Sequence, residues 1–292
     1  MKDFKNVWGI LMLTVGTMAL AQKKHKQAVS LPHEAIYKVV QGDTLNMEFV
    51  YPEKVKRKKA YPAIVFFFGG GWNGGTTKQF EDQAKYFASR GMIGILVDYR
   101  VKSRHGTTPF EAVSDAKSAM RFVRGNAEKF QIDPDKIIAS GGSAGGHLAA
   151  ATATLNGLDD TGDDLSVSPK PNALVLFNPV IDNGKEGYGY ERIGERYPEF
   201  SPMHNLKKGV PPTIVFLGTK DRLIPVATME KYKAKMEAVG SRCDLFLYED
   251  QPHGFFNRTK KDETYYRKTV YEADVFLESL GYIKGKPTIK KL

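Results

Sequence analysis

The chain has 292 residues, of which 41% are hydrophobic and 26% charged, with a net charge of +10. Its single cysteine, Cys243, excludes an internal disulfide, and no Cys/His cluster has metal-ligand spacing, so neither a metal nor another cofactor is expected. The basic excess lies in short blocks, at 23–26, 54–59, 258–261 and 284–291. These read as solvated ends and turns, with attraction to a polyanion as the sharper alternative. No nucleic-acid motif accompanies them.

The first 21 residues read as a secretory signal peptide. A basic start precedes an apolar run from Val7 to Leu20, and Ala19-Leu20-Ala21 has the small-x-small form of a cleavage site. The apolar run falls short of the roughly 20 residues that a membrane span needs. Cleavage before Gln22 is therefore expected, with no stable span afterwards and a periplasmic or extracellular product. Residues 22–34 read as a flexible basic linker, 35–282 as one domain and 283–292 as a basic tail.

Two short strands, Ala35 to Val40 and Leu45 to Tyr51, flank the hairpin signal Gly42-Asp43. The continuous apolar run Ala63 to Phe68 suits a strand covered on both faces. A helix over Gln79 to Arg90, a strand over Met92 to Val97 and a long helix over Pro109 to Phe130 follow. Ile132 to Asp135 is a turn into the strand Lys136 to Ala139. Later strands are expected at Ala173 to Phe177, Thr213 to Leu217 and Cys243 to Tyr248. Helices are expected at Ala227 to Val239 and Glu263 to Leu280. Residues 179–211, rich in Gly, Tyr, Glu, Arg and Pro, read as an insertion with short helices. Strands alternating with helices predict a mostly parallel α/β sheet covered on both faces, with ligands beyond the carboxyl ends of its strands.

The segment Gly141-Gly142-Ser143-Ala144-Gly145-Gly146 lies between a strand and a small-residue helix. A serine in G-x-S-x-G at such a turn is a nucleophile elbow. A serine needs a base, and the base an orienting acid, in the chain order Ser, acid, His. Of six histidines, His253 follows the last strand in Pro252-His253-Gly254 and is the candidate base. His147, four residues past Ser143 on its helix, is read as packing behind the elbow. Asp221, just past a strand in Gly218-Thr219-Lys220-Asp221, is the candidate acid, with Asp250 as its rival. Phe68-Gly69-Gly70-Gly71-Trp72 offers backbone donors to a developing oxyanion. Gly70 and Gly71 with Ala144 are the candidate oxyanion hole. Trp72, Arg104 and His105 are candidate substrate contacts. The loop from Arg100 to Thr108 either lines the substrate or merely caps the helix at Pro109.

Taken together, GGGW, GGSAGG, GTKD and PHGF resemble the α/β-hydrolase superfamily, near the hormone-sensitive-lipase-like carboxylesterases. The likeness is closest to secreted BD-FAE-type esterases associated with acetyl and feruloyl groups on plant polysaccharides. The segment from Asp98 to Pro109 adds to it, and it spans roughly residues 45 to 282. It implies an eight-stranded α/β-hydrolase fold with a small cap insertion, and a Ser143, Asp221, His253 triad. One departure stands out: Phe68 occupies the place of the usual histidine before the three glycines, so the loop is expected to lose polar support. The reading is a secreted serine carboxylesterase acting on short, acetyl-type esters, small or carried on a polysaccharide. A serine peptidase or a non-catalytic carbohydrate-binding protein on the same fold is the alternative. Nothing in the sequence sets an oligomeric state.

Overall fold

A computed structural model describes residues 31–290, apart from 41 and 57. The signal peptide and most of the linker fall outside the described residues. The eight strands are β1 (Glu34–Val40), β2 (Asp43–Val50), β3 (Tyr61–Phe67), β4 (Ile93–Val97), β5 (Ile132–Gly142), β6 (Ala173–Phe177), β7 (Thr213–Gly218) and β8 (Cys243–Tyr248). They form one sheet in the order β1-β2-β4-β3-β5-β6-β7-β8. Among the described strands β2 alone is reversed, pairing antiparallel with β1 and β4, and β3 to β8 are parallel. The apolar strands β3, β4 and β6 bury almost every residue, because helices cover both faces. The fold is that of an α/β-hydrolase.

The principal helices are α1 (Glu81–Ser89), α2 (Lys102–His105), α3 (Pro109–Gly125), α4 (Ala127–Phe130) and α5 (Ala144–Thr154). They are followed by α6 (Tyr190–Ile193), α7 (Tyr197–Phe200), α8 (Val226–Ala238) and α9 (Thr264–Ser279). Helix α3 starts with a capping box between Thr108 and Glu111. The helix expected to run on to Phe130 breaks at Asn126, whose side-chain amide donates to the Phe122 carbonyl at 2.9 Å. Glycine and asparagine in succession are weak helix formers, and the asparagine side chain competes for the backbone. The expected insertion, 179–211, holds only α6, α7 and 3₁₀ turns.

At the N-terminal edge, the part of the expected linker that is described is ordered by pairing. The His33 carbonyl accepts from Phe49 N–H at 2.8 Å, and β1 begins at Glu34. In the C-terminal segment, Arg90 donates to the carbonyls of Lys284 and Gly285.

Register places the site. Phe67 pairs with Gly141, Gly142 with Phe177, and Phe177 with Phe216. The carboxyl ends of β3, β5, β6 and β7 therefore lie along one edge of the sheet, and β8 ends beside Gly218. The loops leaving these five strands carry every candidate catalytic group.

Candidate active site

Ser143 sits between β5 and α5 with φ 53° and ψ −119°, a backbone conformation unusual for any residue but glycine. Three backbone hydrogen bonds hold it. Its N–H donates to the Phe177 carbonyl at 3.0 Å, and its carbonyl accepts from His147 and Val180 at 3.0 and 3.1 Å. Gly145 is required by close approach: a Cβ there would lie 2.0 Å from the Phe67 carbonyl oxygen. The start of α5 thus packs directly on the end of β3.

The loop after β3 lies against the serine, since a Cβ on Gly69 would come 3.4 Å from the Ser143 Cβ. Gly70, at φ 125°, adopts a backbone shape that side chains disfavour. Gly69 N–H donates to Gln79 Oε1 at 2.6 Å. Among the described residues, the N–H groups of Gly70, Gly71 and Ala144 have no acceptor. These are the three expected oxyanion donors, and their free N–H groups can receive a developing negative charge.

The expected loss of polar support around Phe68 does not occur. Gln79 replaces it, and its Nε2 donates to Asn257 Oδ1 at 3.2 Å. Asn257 in turn donates to the Gly254 carbonyl at 2.8 Å. Phe68 itself is buried and stacks on Tyr99 at 4.1 Å, and the Tyr99 hydroxyl donates to the Phe68 carbonyl at 2.6 Å. The aromatic pair and the amide relay hold the loop that a histidine was expected to hold.

His253 Nδ1 lies 2.7 Å from Asp221 Oδ2. The Asp221 carboxylate is fully buried, and its other oxygen accepts from the N–H groups of Leu223 and Ile224 at 2.9 and 3.0 Å. The imidazole is 23% exposed. Asp250, the rival acid, instead forms an exposed ion pair with Lys220 at 2.7 Å. Ser143 and His253 line one cleft of about 350 Å³. The Ser143 hydroxyl has no hydrogen-bond partner among the described residues, and such contacts commonly tighten only when substrate binds.

Asn178 is a site residue that sequence reasoning missed. It is buried at the end of β6, with φ 34°. Its amide nitrogen lies 3.3 Å from His253 Nε2, and its Oδ1 accepts from Gly254 N–H at 3.0 Å. Its place directly after a strand that ends beside the elbow was the available signal.

The three expected substrate contacts are corrected by their surroundings. Trp72 is 2% exposed, with its ring packed on His147 and Phe200 at 5.1 and 5.6 Å. Arg104 forms a bidentate pair with Asp98 at 2.6 and 2.8 Å. His105 Nδ1 accepts from Val101 N–H at 2.9 Å, closing its own turn. None of the three side chains lines the catalytic cleft; Tyr188, Arg192 and Leu223 do. Cys243 is buried in β8, and burial pushes its thiol up to about 12.

His147 packs behind the elbow. Its Nε2 lies 3.0 Å from the Phe200 carbonyl oxygen, and its ring stacks on Phe200 at 4.2 Å. Complete burial lowers its pKa from 6.5 to about 3.

Comparison with known proteins matches residues 47–185 to the BD-FAE family and residues 188–276 to the dienelactone hydrolase family. The propionate-bound esterase 2 of Thermogutta terrifontis is 42% identical, with a TM-score of 0.83; the match covers 87% of this chain and 96% of that one. The form phosphonylated by cyclosarin matches with the same values. An acetylxylan esterase of Xylanibacter ruminicola is 29% identical over 209 residues, 66% of this chain and 41% of its own length. Esterase LipC of Mycobacterium tuberculosis is 27% identical over 227 residues, 70% of this chain and 56% of its own length. The chain thus spans about half the length of these two curated relatives.

The buried imidazole sets a pH dependence. Between pH 6.5 and 3 the unfolded chain binds a proton at His147 that the folded protein does not, so stability falls as pH drops through that window. From pH 6.5 to 4 this contributes about 3 kcal/mol of lost stability. His147→Phe should remove that slope in urea titrations at the two pH values; an unchanged slope would contradict the assignment.

Proposed function

The chain belongs to the α/β-hydrolase carboxylesterases of the hormone-sensitive-lipase and BD-FAE type, and we propose that it hydrolyses short-acyl esters carried on polysaccharides, through Ser143, His253 and Asp221. The observation that carries this reading is the 2.7 Å contact of buried Asp221 with His253, in a cleft shared with Ser143. Asp221 orients the imidazole and stabilises the imidazolium that forms.

In the first step Ser143 Oγ bonds to the ester carbonyl carbon as its proton passes to His253 Nε2. The carbonyl oxygen becomes an oxyanion held by Gly70, Gly71 and Ala144 N–H. Collapse breaks the bond to the alcohol oxygen, which takes the proton from His253. Water then attacks the acyl-serine with His253 again as base, releasing the carboxylic acid and restoring the serine.

The small cleft and an insertion with only four-residue helices support a short acyl group and an open approach. Similarity to an acetylxylan esterase and to endo-1,4-beta-xylanase B of Butyrivibrio fibrisolvens, 24% identical over 258 residues, supports a polysaccharide carrier. Export is part of the reading, supported by the sequence of the first 21 residues.

Ser143→Ala should reduce hydrolysis of p-nitrophenyl acetate by about 1,000-fold or more while the fold persists. Equal activity in the variant refutes the mechanism. Gln79→Ala frees Gly69 and should lower kcat by about 10- to 100-fold with a smaller change in KM, since a slight misplacement of transition-state donors costs that much; an unchanged kcat would show that the relay has no part in positioning the loop. The protein recovered from a secreting host should begin at Gln22. An intact Met1 on the recovered protein speaks against export by cleavage.

A further inference from the structure

A second chamber of about 300 Å³ adjoins the catalytic cleft. The two share Gly71, Asn73 and Arg192. The outer face of the oxyanion loop thus forms one wall of this chamber, and the segment from Lys102 to Pro109 forms the other. Backbone hydrogen bonds fasten the walls together: Lys102 N–H donates to the Trp72 carbonyl at 3.0 Å, and Ser103 N–H to the Asn73 carbonyl at 2.9 Å.

The lining is rich in donors. Asn73 and Thr107 offer neutral polar groups along its wall. The Lys102 ammonium has no ionic partner among the described residues. Arg192 stands over the Trp72 ring at 5.1 Å, donates to the Gly71 carbonyl and forms an ion pair with exposed Glu191. Among the described residues, no carboxylate lines the chamber. Two cations with neutral donors and no acid select an anionic, hydroxyl-bearing ligand.

We propose that this chamber binds a uronate unit, a sugar carrying a carboxylate, in the alcohol portion of the ester. The inference rests on the short-acyl reading above: an acetyl-sized group ends inside the catalytic cleft, so whatever extends past Gly71 and Arg192 belongs to the alcohol side. The carboxylate pairs with Lys102 and Arg192. The ring hydroxyls meet Asn73 and Thr107. The chamber lies near the lower end of ligand-pocket sizes, which suits a single sugar ring. The chain's net charge of +10 favours encounter with such a polymer.

The test compares acetylated oligogalacturonides with the same oligomers after methyl esterification of their carboxylates. The intact protein should show a KM about tenfold lower for the acidic oligomers, and Lys102→Glu should bring that ratio to about one or below. The ratio is internal to each protein, so a general loss of activity does not imitate it. Calorimetric titration with trigalacturonate should show binding to the intact protein and at least tenfold weaker binding to Lys102→Glu. Equal KM values for the two oligomers in the intact protein, or no binding of trigalacturonate, overturn the proposal. Failure of the intact protein to hydrolyse p-nitrophenyl acetate would instead overturn the hydrolase reading, and the titration would still decide the chamber.

Discussion

The close approach of Gly145 to the Phe67 carbonyl is the constraint on which the rest of the site depends. A methyl group there would overlap the end of β3, so the helix that begins at Ala144 is pressed against the strand that launches the glycine loop. This brings Gly69 against Ser143 and leaves free N–H groups from two separate segments in one place. Ser143 tolerates its backbone shape because three hydrogen bonds over-determine it. Such conformations cost about 1–3 kcal/mol, and they persist where surrounding packing leaves no other arrangement.

The second constraint is a relay of side-chain amides across the cleft mouth. Gln79 and Asn257 are 178 residues apart, yet they connect Gly69 to the Gly254 carbonyl beside His253. The proposed oxyanion loop and the loop of the proposed base are therefore held in register by one hydrogen-bonded chain. Neutral amides serve this purpose without adding a further charge beside Ser143 and His253.

Much of this architecture was legible in the sequence because it rests on local signals. Apolar runs marked β3, β4 and β6, the Gly42-Asp43 pair marked the hairpin, and Pro109 marked the start of α3. Ser143, Asp221 and His253 stood out because each follows a strand among small or turn-forming residues. What was not legible depends on contacts between distant segments. The support of the Phe68 loop comes from Gln79 and Tyr99, and no local pattern ties either to a glycine loop. Trp72 looked available for a substrate because it ends a glycine run; its burial depends on His147 and on Phe200 of the insertion. Asn178 carries no motif, and its importance follows only from the register of β6 against β5 and β7.

The carboxamide of Asn178 has a fixed orientation, because its oxygen is taken by the Gly254 N–H. Its NH₂ must then be the end that faces His253 Nε2. An NH₂ group can only donate, so the resting imidazole keeps its proton on Nδ1, toward Asp221, and presents a capped lone pair at Nε2. Once Nε2 takes up a proton, the same contact sets one donor against another. The protonated ring gains nothing by keeping that proton near Asn178 and is better satisfied by an acceptor inside the cleft. Asn178 thus gives the ring a fixed polarity: the nitrogen that carries the proton faces Asp221, and the one that accepts faces Asn178.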